Sequence, residues 1–170
     1  MNENLQTTWL DYPDNDSLAV IFYTYGCMHK CKNCHNLALQ TPVTSYPEGI
    51  IDEILEYCKR NNTNKLVLSG GDCLLKGANL DLTNSIIDQY KDKLDICIYT
   101  GYDIDYVKAN VHPGFKFVKC GKYDENLKIE SEKTDDFLQL ASINQKLYNA
   151  NYKLLSINGK YYFSQGDRNE

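Results

Sequence analysis

The 170 residues include 18 basic and 23 acidic side chains, a net charge of −5, with 42% hydrophobic residues, so the expectation is one compact domain over 1–170 rather than a disordered chain. The acid excess offers no basic field to a phosphate backbone, and the longest wholly apolar run, 18–23, is far short of the ~20 residues of a membrane helix; neither nucleic acid nor a membrane is an expected partner. The opening MNENLQTTWL has no basic stretch leading into an apolar one, so a cytoplasmic chain with reduced cysteines is expected.

Residues 17–24, SLAVIFYT, follow the turn-rich DYPDND and read as a strand. Residues 47–61 open on proline and repeat apolar side chains at Ile50, Ile51, Ile54, Leu55 and Cys58, the spacing of a helix. The run 65–69, KLVLS, reads as a strand ending at Gly70 and Gly71, and 80–90 resumes helical periodicity through Leu82, Ile86 and Ile87. A strand over 95–100 closes on Gly101, a short helix covers 103–109, and 115–120, FKFVKC, is another strand. The polar stretch 124–136 reads as an exposed connection. Runs 152–157 and 160–163 flank Asn158 and Gly159, which predicts a C-terminal hairpin. This alternation points to an α/β fold with a mostly parallel sheet and flanking helices. A complete eight-unit barrel needs about 250 residues, so the sheet is expected to be open or a partial barrel.

Of seven cysteines, three lie in GCMHKCKNCHN, at Cys27, Cys31 and Cys34. Spacers this short let one loop converge three thiolates on a single inorganic group, and thiolate is the ligand of iron–sulfur clusters. Three ligands for a four-iron cube leave one iron open to a small molecule. Two other readings stand beside this one: a zinc site completed by His29 or His35, and a redox dithiol from Cys31 and Cys34. His29 is expected to be a polar residue of an exposed loop. Cys58 and Cys97 fall on apolar faces and read as core, while Cys73 and Cys120, near strand ends, are left without a role.

The cysteine segment, placed directly after the first predicted strand, resembles the radical S-adenosylmethionine family. That resemblance implies a [4Fe-4S] cluster on Cys27, Cys31 and Cys34 and S-adenosylmethionine on the remaining iron, cleaved by an electron from the cluster to a 5′-deoxyadenosyl radical. It also implies that the turn of Ser69, Gly70, Gly71 and Asp72 holds the ammonium of the nucleotide. Glycines there let backbone carbonyls approach a ligand closely. The backbone at Asn33, Cys34 and His35 is implied in the same cofactor contact, as are Thr100 and Tyr102 at the end of the third strand, near the adenosyl group.

Through LSGGDCLL, YTGYD, CGKYDENL and SINQKLY the chain further resembles the activating proteins of anaerobic, class III ribonucleoside-triphosphate reductase. The implied partners are the large subunit of that reductase, on which a glycyl radical is generated, and an external low-potential electron donor. Departures from the pattern are Cys73 in place of proline, Cys120 in place of an aspartate-like residue, and the altered run 141–146. Asn144 and Gln145 are carried only as a partner or cofactor contact, and His112 is expected to tolerate substitution. The alternatives are an activase of another glycyl radical enzyme, such as pyruvate formate-lyase, and a zinc or thiol binding module without radical chemistry.

Overall fold

The computed structural model describes residues 3–14, 17–132 and 136–163. Strand β1 (Leu5–Thr8) leads into β2 (Ala19–Thr24), followed by α1 (Ile50–Arg60), β3 (Lys65–Gly70), α2 (Ala78–Tyr90), β4 (Asp95–Tyr99), α3 (Ile104–Asn110) and β5 (Phe117–Cys120). Strands β6 (Phe137–Gln139), β7 (Lys146–Asn149) and β8 (Lys160–Tyr162) complete the chain. The main sheet runs β1-β2-β3-β4-β5-β7: β2 to β5 are parallel, and β1 and β7 are antiparallel edges.

The central strands are continuous apolar runs because both of their faces are covered. Val20, Phe22, Leu66, Leu68, Ile96, Ile98 and Val118 face one way, onto Ile50, Ile54 and Cys58 of α1, Leu82, Ile86 and Ile87 of α2, and Val107 of α3. Alternate residues, Ala19, Ile21, Val67 and Cys97, face the other way and meet Tyr12, Tyr23, Tyr99 and Phe117. Phe117 also touches a small cluster of Leu138, Leu140, Leu147 and Tyr161 built around the β6–β8 pair. The sheet thus has a helix face and an inner face roofed by loops and short strands.

Local chemistry sets the helix ends. Asp52 and Glu53 open α1 while Lys59 and Arg60 close it, matching the helix dipole at both termini. Asp103 caps α3 by accepting the Tyr106 N–H at 2.9 Å. Helix α1 begins at Ile50, later than its proline suggests, because Pro47 ends in a turn whose carbonyl accepts the Ile50 N–H at 3.2 Å.

Strands β1, β6 and β7 were not expected from the sequence. The hairpin is altered: Asn158 (φ 50°) and Gly159 (φ 75°) form the expected turn, with Ile157 and Lys160 exchanging backbone bonds of 2.8 and 3.0 Å. Beyond that bridge, however, β8 pairs with β6 and not with 152–157. The connection over 124–136 is also more tied than expected, with a 3₁₀ turn at Glu125–Leu127 and a bridge from Lys128 to Ser142; residues 133–135 lie outside the described part. No helix among the described residues is long and apolar enough to cross a membrane.

Candidate metal centre

The cysteine loop leaves β2 and folds back over the C-terminal ends of the parallel strands. A Cβ on Gly71 would lie 2.4 Å from the Gly26 carbonyl oxygen and 2.6 Å from that of Leu39, and one on Gly70 would lie 2.2 Å from the Thr24 nitrogen. Gly70 is therefore demanded by the backbone at the end of β2 and Gly71 by the close approach of loop backbone. The contact is bonded throughout: Asp72 N–H to Gly26 O at 2.8 Å, Gly26 N–H to Leu39 O at 2.6 Å, Cys27 N–H to Gln40 O at 3.1 Å, and the Asn36 side-chain amide to Gly70 O at 3.0 Å.

Asp72 is the hub of this contact. Its carboxylate is buried, 2% exposed as a residue, and faces inward. Oδ2 accepts the Gly101 N–H at 2.8 Å and lies 2.7 Å from His29 Nε2; Oδ1 accepts the Leu74 N–H at 2.9 Å; the Thr100 hydroxyl reaches both oxygens at 2.9 and 3.0 Å. One carboxylate thus joins the cysteine loop to the turns after β3 and β4. His29, expected from the sequence to be a polar residue of an exposed loop, is instead packed against the strand-end turns. Its side chain is 15% exposed, sits over Gly101, where a Cβ would lie 2.4 Å from its ring, and meets Tyr102 edge-on at 4.6 Å. Tyr102 in turn stacks on Tyr106 at 3.8 Å, and burial, then Asp72 and Cys27, push its hydroxyl up from the usual tyrosine range.

Cys27, Cys31 and Cys34 are free and half-buried on this loop. Backbone N–H groups approach two of the sulfurs, His29 to Cys27 Sγ and Asn36 to Cys34 Sγ, each at 3.4 Å. Burial pushes the Cys27 thiol up, the His29 N–H opposes this, and Asp72, Cys31 and Cys34 add to it, so all three sulfurs belong to one electrostatic neighbourhood. Lys30 (φ 50°) and Asn33 (φ 56°) take left-handed turns between the cysteines. Such turns gather N–H groups into concavities that suit anionic clusters. Among the described residues no group of three Cys, His, Asp or Glu is gathered closely enough to hold a metal ion. Three thiols on one loop, two of them accepting backbone N–H···S bonds, fit an iron–sulfur group in donor chemistry.

The far side of the loop rests on the segment after β5. His35 meets Tyr123 at 5.9 Å, the Tyr123 hydroxyl bonds Glu125, and bonds from Tyr123 and then Asn33 hold the Glu125 carboxyl below its usual range. Asn144 and Gln145 brace the same segment: the Gln145 amide bonds the Gly121 carbonyl at 3.0 Å and accepts the Ala141 and Ser142 N–H groups, and Asn144 bonds the Lys122 carbonyl at 2.8 Å. The other four cysteines are core. Burial pushes Cys58 and Cys120 up to about 12, and Cys73 and Cys97 well above the usual thiol range, which suppresses their reactivity.

Beneath the loop, a cavity of about 1140 Å³ opens on the inner face. Its floor is a row across the parallel strands, Tyr23, Ser69, Tyr99 and Lys119, aligned by the pairings Tyr23↔Ser69 and Tyr99↔Lys119. Asn36 joins it to the cysteine loop, Trp9 and Leu10 stand exposed at its rim, and Phe137 and Leu138 of β6 form the opposite wall.

The profile of the 4Fe-4S single cluster domain family matches residues 17–148, which include all three loop cysteines and most of the main sheet. Among curated proteins, the anaerobic ribonucleoside-triphosphate reductase-activating protein of Enterobacteria phage T4 is 24% identical over 124 residues, covering 69% of this chain and 78% of that protein. No solved structure gives a significant match.

Proposed function

The chain belongs to the 4Fe-4S single cluster domain family, and from that premise we propose that it activates an anaerobic ribonucleoside-triphosphate reductase, holding one [4Fe-4S] cluster on Cys27, Cys31 and Cys34 with S-adenosylmethionine beside it. The observation that supports this reading is that Cys27, Cys31 and Cys34 stand, half-buried and free, on one loop bonded across the strand ends, whose Asn36 lines the inner cavity. The phage T4 relative, by name an activating protein of that reductase, supports the choice of partner.

The bound pair would supply a low-potential electron and, from cleavage of the sulfonium, the radical that takes a hydrogen atom from a glycine of the reductase. The protein's own work is positional. Asp72 holds the cysteine loop against the turns at 72–74 and 100–101, so that the thiols keep a fixed relation to the strand ends. With the Asp72 carboxylate taken up in this way, contacts to the nucleotide are assigned to the backbone at Asn33, Cys34, His35, Ser69, Gly70 and Gly71, and to Thr100 and Tyr102. The helix-free inner face serves as the concave side of a partial barrel, and the β6–β8 wall keeps water from a reactive intermediate. No general acid or base is needed, and His112, an exposed partner of Asp88, has no part.

The test is anaerobic mixing of cluster-loaded protein, S-adenosylmethionine and a reductant with a class III reductase, read by electron paramagnetic resonance. A glycyl doublet on the reductase is expected. A doublet on pyruvate formate-lyase instead would transfer the activity to another glycyl radical enzyme, and no doublet on either would overturn the reading.

A further inference from the structure

A second set of bonds, from helix α2, reaches the base of the cysteine loop. Asn79, in the first turn of α2, is buried at 2% exposure. Its amide donates to the Tyr25 carbonyl at 2.8 Å, where the chain leaves β2 for the loop, and to the Asp72 carbonyl at 2.7 Å. Its Oδ1 accepts the Tyr46 hydroxyl at 2.7 Å, on the segment that returns from the loop to α1. The same hydroxyl accepts the Tyr25 N–H at 3.0 Å. The entry limb of the loop, its return limb and the turn after β3 thus meet on one side chain.

A primary amide supplies two donors and an acceptor in one short planar group, which is what this junction requires. An ionised carboxylate in its place offers no donor to either carbonyl, and an apolar side chain withdraws a partner from three groups at once. Tyr46 is held edge-on to Phe22 at 6.0 Å, and burial pushes its hydroxyl up to about 12, so it stays a donor to Asn79. The turn itself is bonded along its length: Thr83 donates to the Cys73 carbonyl at 2.8 Å and Tyr106 to that of Leu74 at 2.9 Å. Of these three side chains, Asn79 is the one bonded to both limbs of the cysteine loop as well.

We propose that Asn79 is a positioning residue for the reaction: by joining Tyr25, Tyr46 and Asp72 it fixes the base of the cysteine loop against the turn after β3, and so sets the relation between cluster and nucleotide. The inference rests on the reading of that loop and turn as the cluster and nucleotide sites, and adds a residue that touches neither group. The Asp72 carboxylate holds the loop further along, at His29, while Asn79 holds it where it enters and leaves. Two such ties oppose a tilt of the loop that one alone would permit. Displacement of reacting groups by about 1 Å costs on the order of a hundredfold in rate, so a residue remote from the chemistry acts on it through placement.

The test uses full-length, anaerobically cluster-loaded protein as wild type, Asn79→Asp and Asn79→Ser, with Tyr46→Phe as a milder variant that keeps both amide bonds. Iron content, the electron paramagnetic resonance spectrum of the reduced cluster with and without S-adenosylmethionine, and reductive cleavage at saturating nucleotide are measured well below each thermal midpoint, with rates expressed per bound cluster. Asn79→Asp is expected to lower cleavage by about tenfold to a hundredfold and to alter the spectral change that the nucleotide causes in wild type; Tyr46→Phe falls between the two. A merely structural role lowers the midpoint and moves neither readout per cluster. Wild-type rates and spectra in all the variants therefore overturn the proposal, and so does failure of all of them to hold iron, since the junction would then serve loop assembly. A wild type that loads its cluster but neither binds nor cleaves the nucleotide overturns instead the activase reading on which the proposal rests.

Discussion

At the residue scale, Asp72 decides how the cysteine loop meets the sheet. In isolation two glycines and an acid at a strand end read as an ordinary turn, and only the family resemblance implies a nucleotide contact for Gly70, Gly71 and Asp72. The structure gives the same residues a prior duty, since Gly70 is required by the backbone at the end of β2, Gly71 by loop backbone, and the carboxylate is consumed by His29, Thr100, Gly101 and Leu74. This could not be read from spacing, because His29 is 43 residues from Asp72 and Thr100 is 28. Asp72→Asn removes the charge and turns an amide N–H toward N–H donors, leaving buried groups unmatched. Loss of about 2–4 kcal/mol in chemical unfolding is expected, together with faster release of iron to a chelator. Unchanged unfolding and iron retention would show that the carboxylate does not tie the loop down.

At the element scale, legibility followed apolar content. The central strands and α1 to α3 carry strong periodic signals and form close to the expected boundaries. The edge strands do not: β1 is LQTT and β7 is KLYN, each short and polar on one side, held by pairing to a neighbour far away in sequence. The hairpin shows the same limit. Asn158 and Gly159 dictate their own turn, yet the partner of β8 is chosen by the cluster of Leu138, Leu140, Leu147 and Tyr161, which no local signal reveals. Leu147 is fully buried at the join of β7 and this cluster. Leu147→Ala is expected to cost about 2–5 kcal/mol, seen as a lower denaturation midpoint. A loss below about 0.5 kcal/mol, the range of surface substitutions, would show that β7 is not part of the core.

At the scale of the whole molecule, helices cover one face of the sheet while the other keeps a cavity beside the cysteine loop. The rim carries Trp9 at 64% and Leu10 at 81% exposure, apolar side chains that water disfavours and that commonly mark contact with a partner. On the proposed reading, in which the target is a polypeptide, these residues are expected to contact the reductase at the cavity mouth. Trp9→Ala with Leu10→Ser is expected to weaken the reductase complex by about tenfold or more without moving the thermal midpoint, as both side chains are largely solvated. Unaltered affinity would place the docking surface elsewhere.

The proposed activity depends first on the cysteine loop holding iron, and the iron, zinc and sulfide content of anaerobically purified protein tests this most directly. Wild type is expected to carry about four irons with matching sulfide and brown absorption, as thiolate-held clusters do, and Cys31→Ser to lose them together with reductive cleavage of S-adenosylmethionine. One tightly held zinc per chain, with no sulfide and no colour, would contradict it.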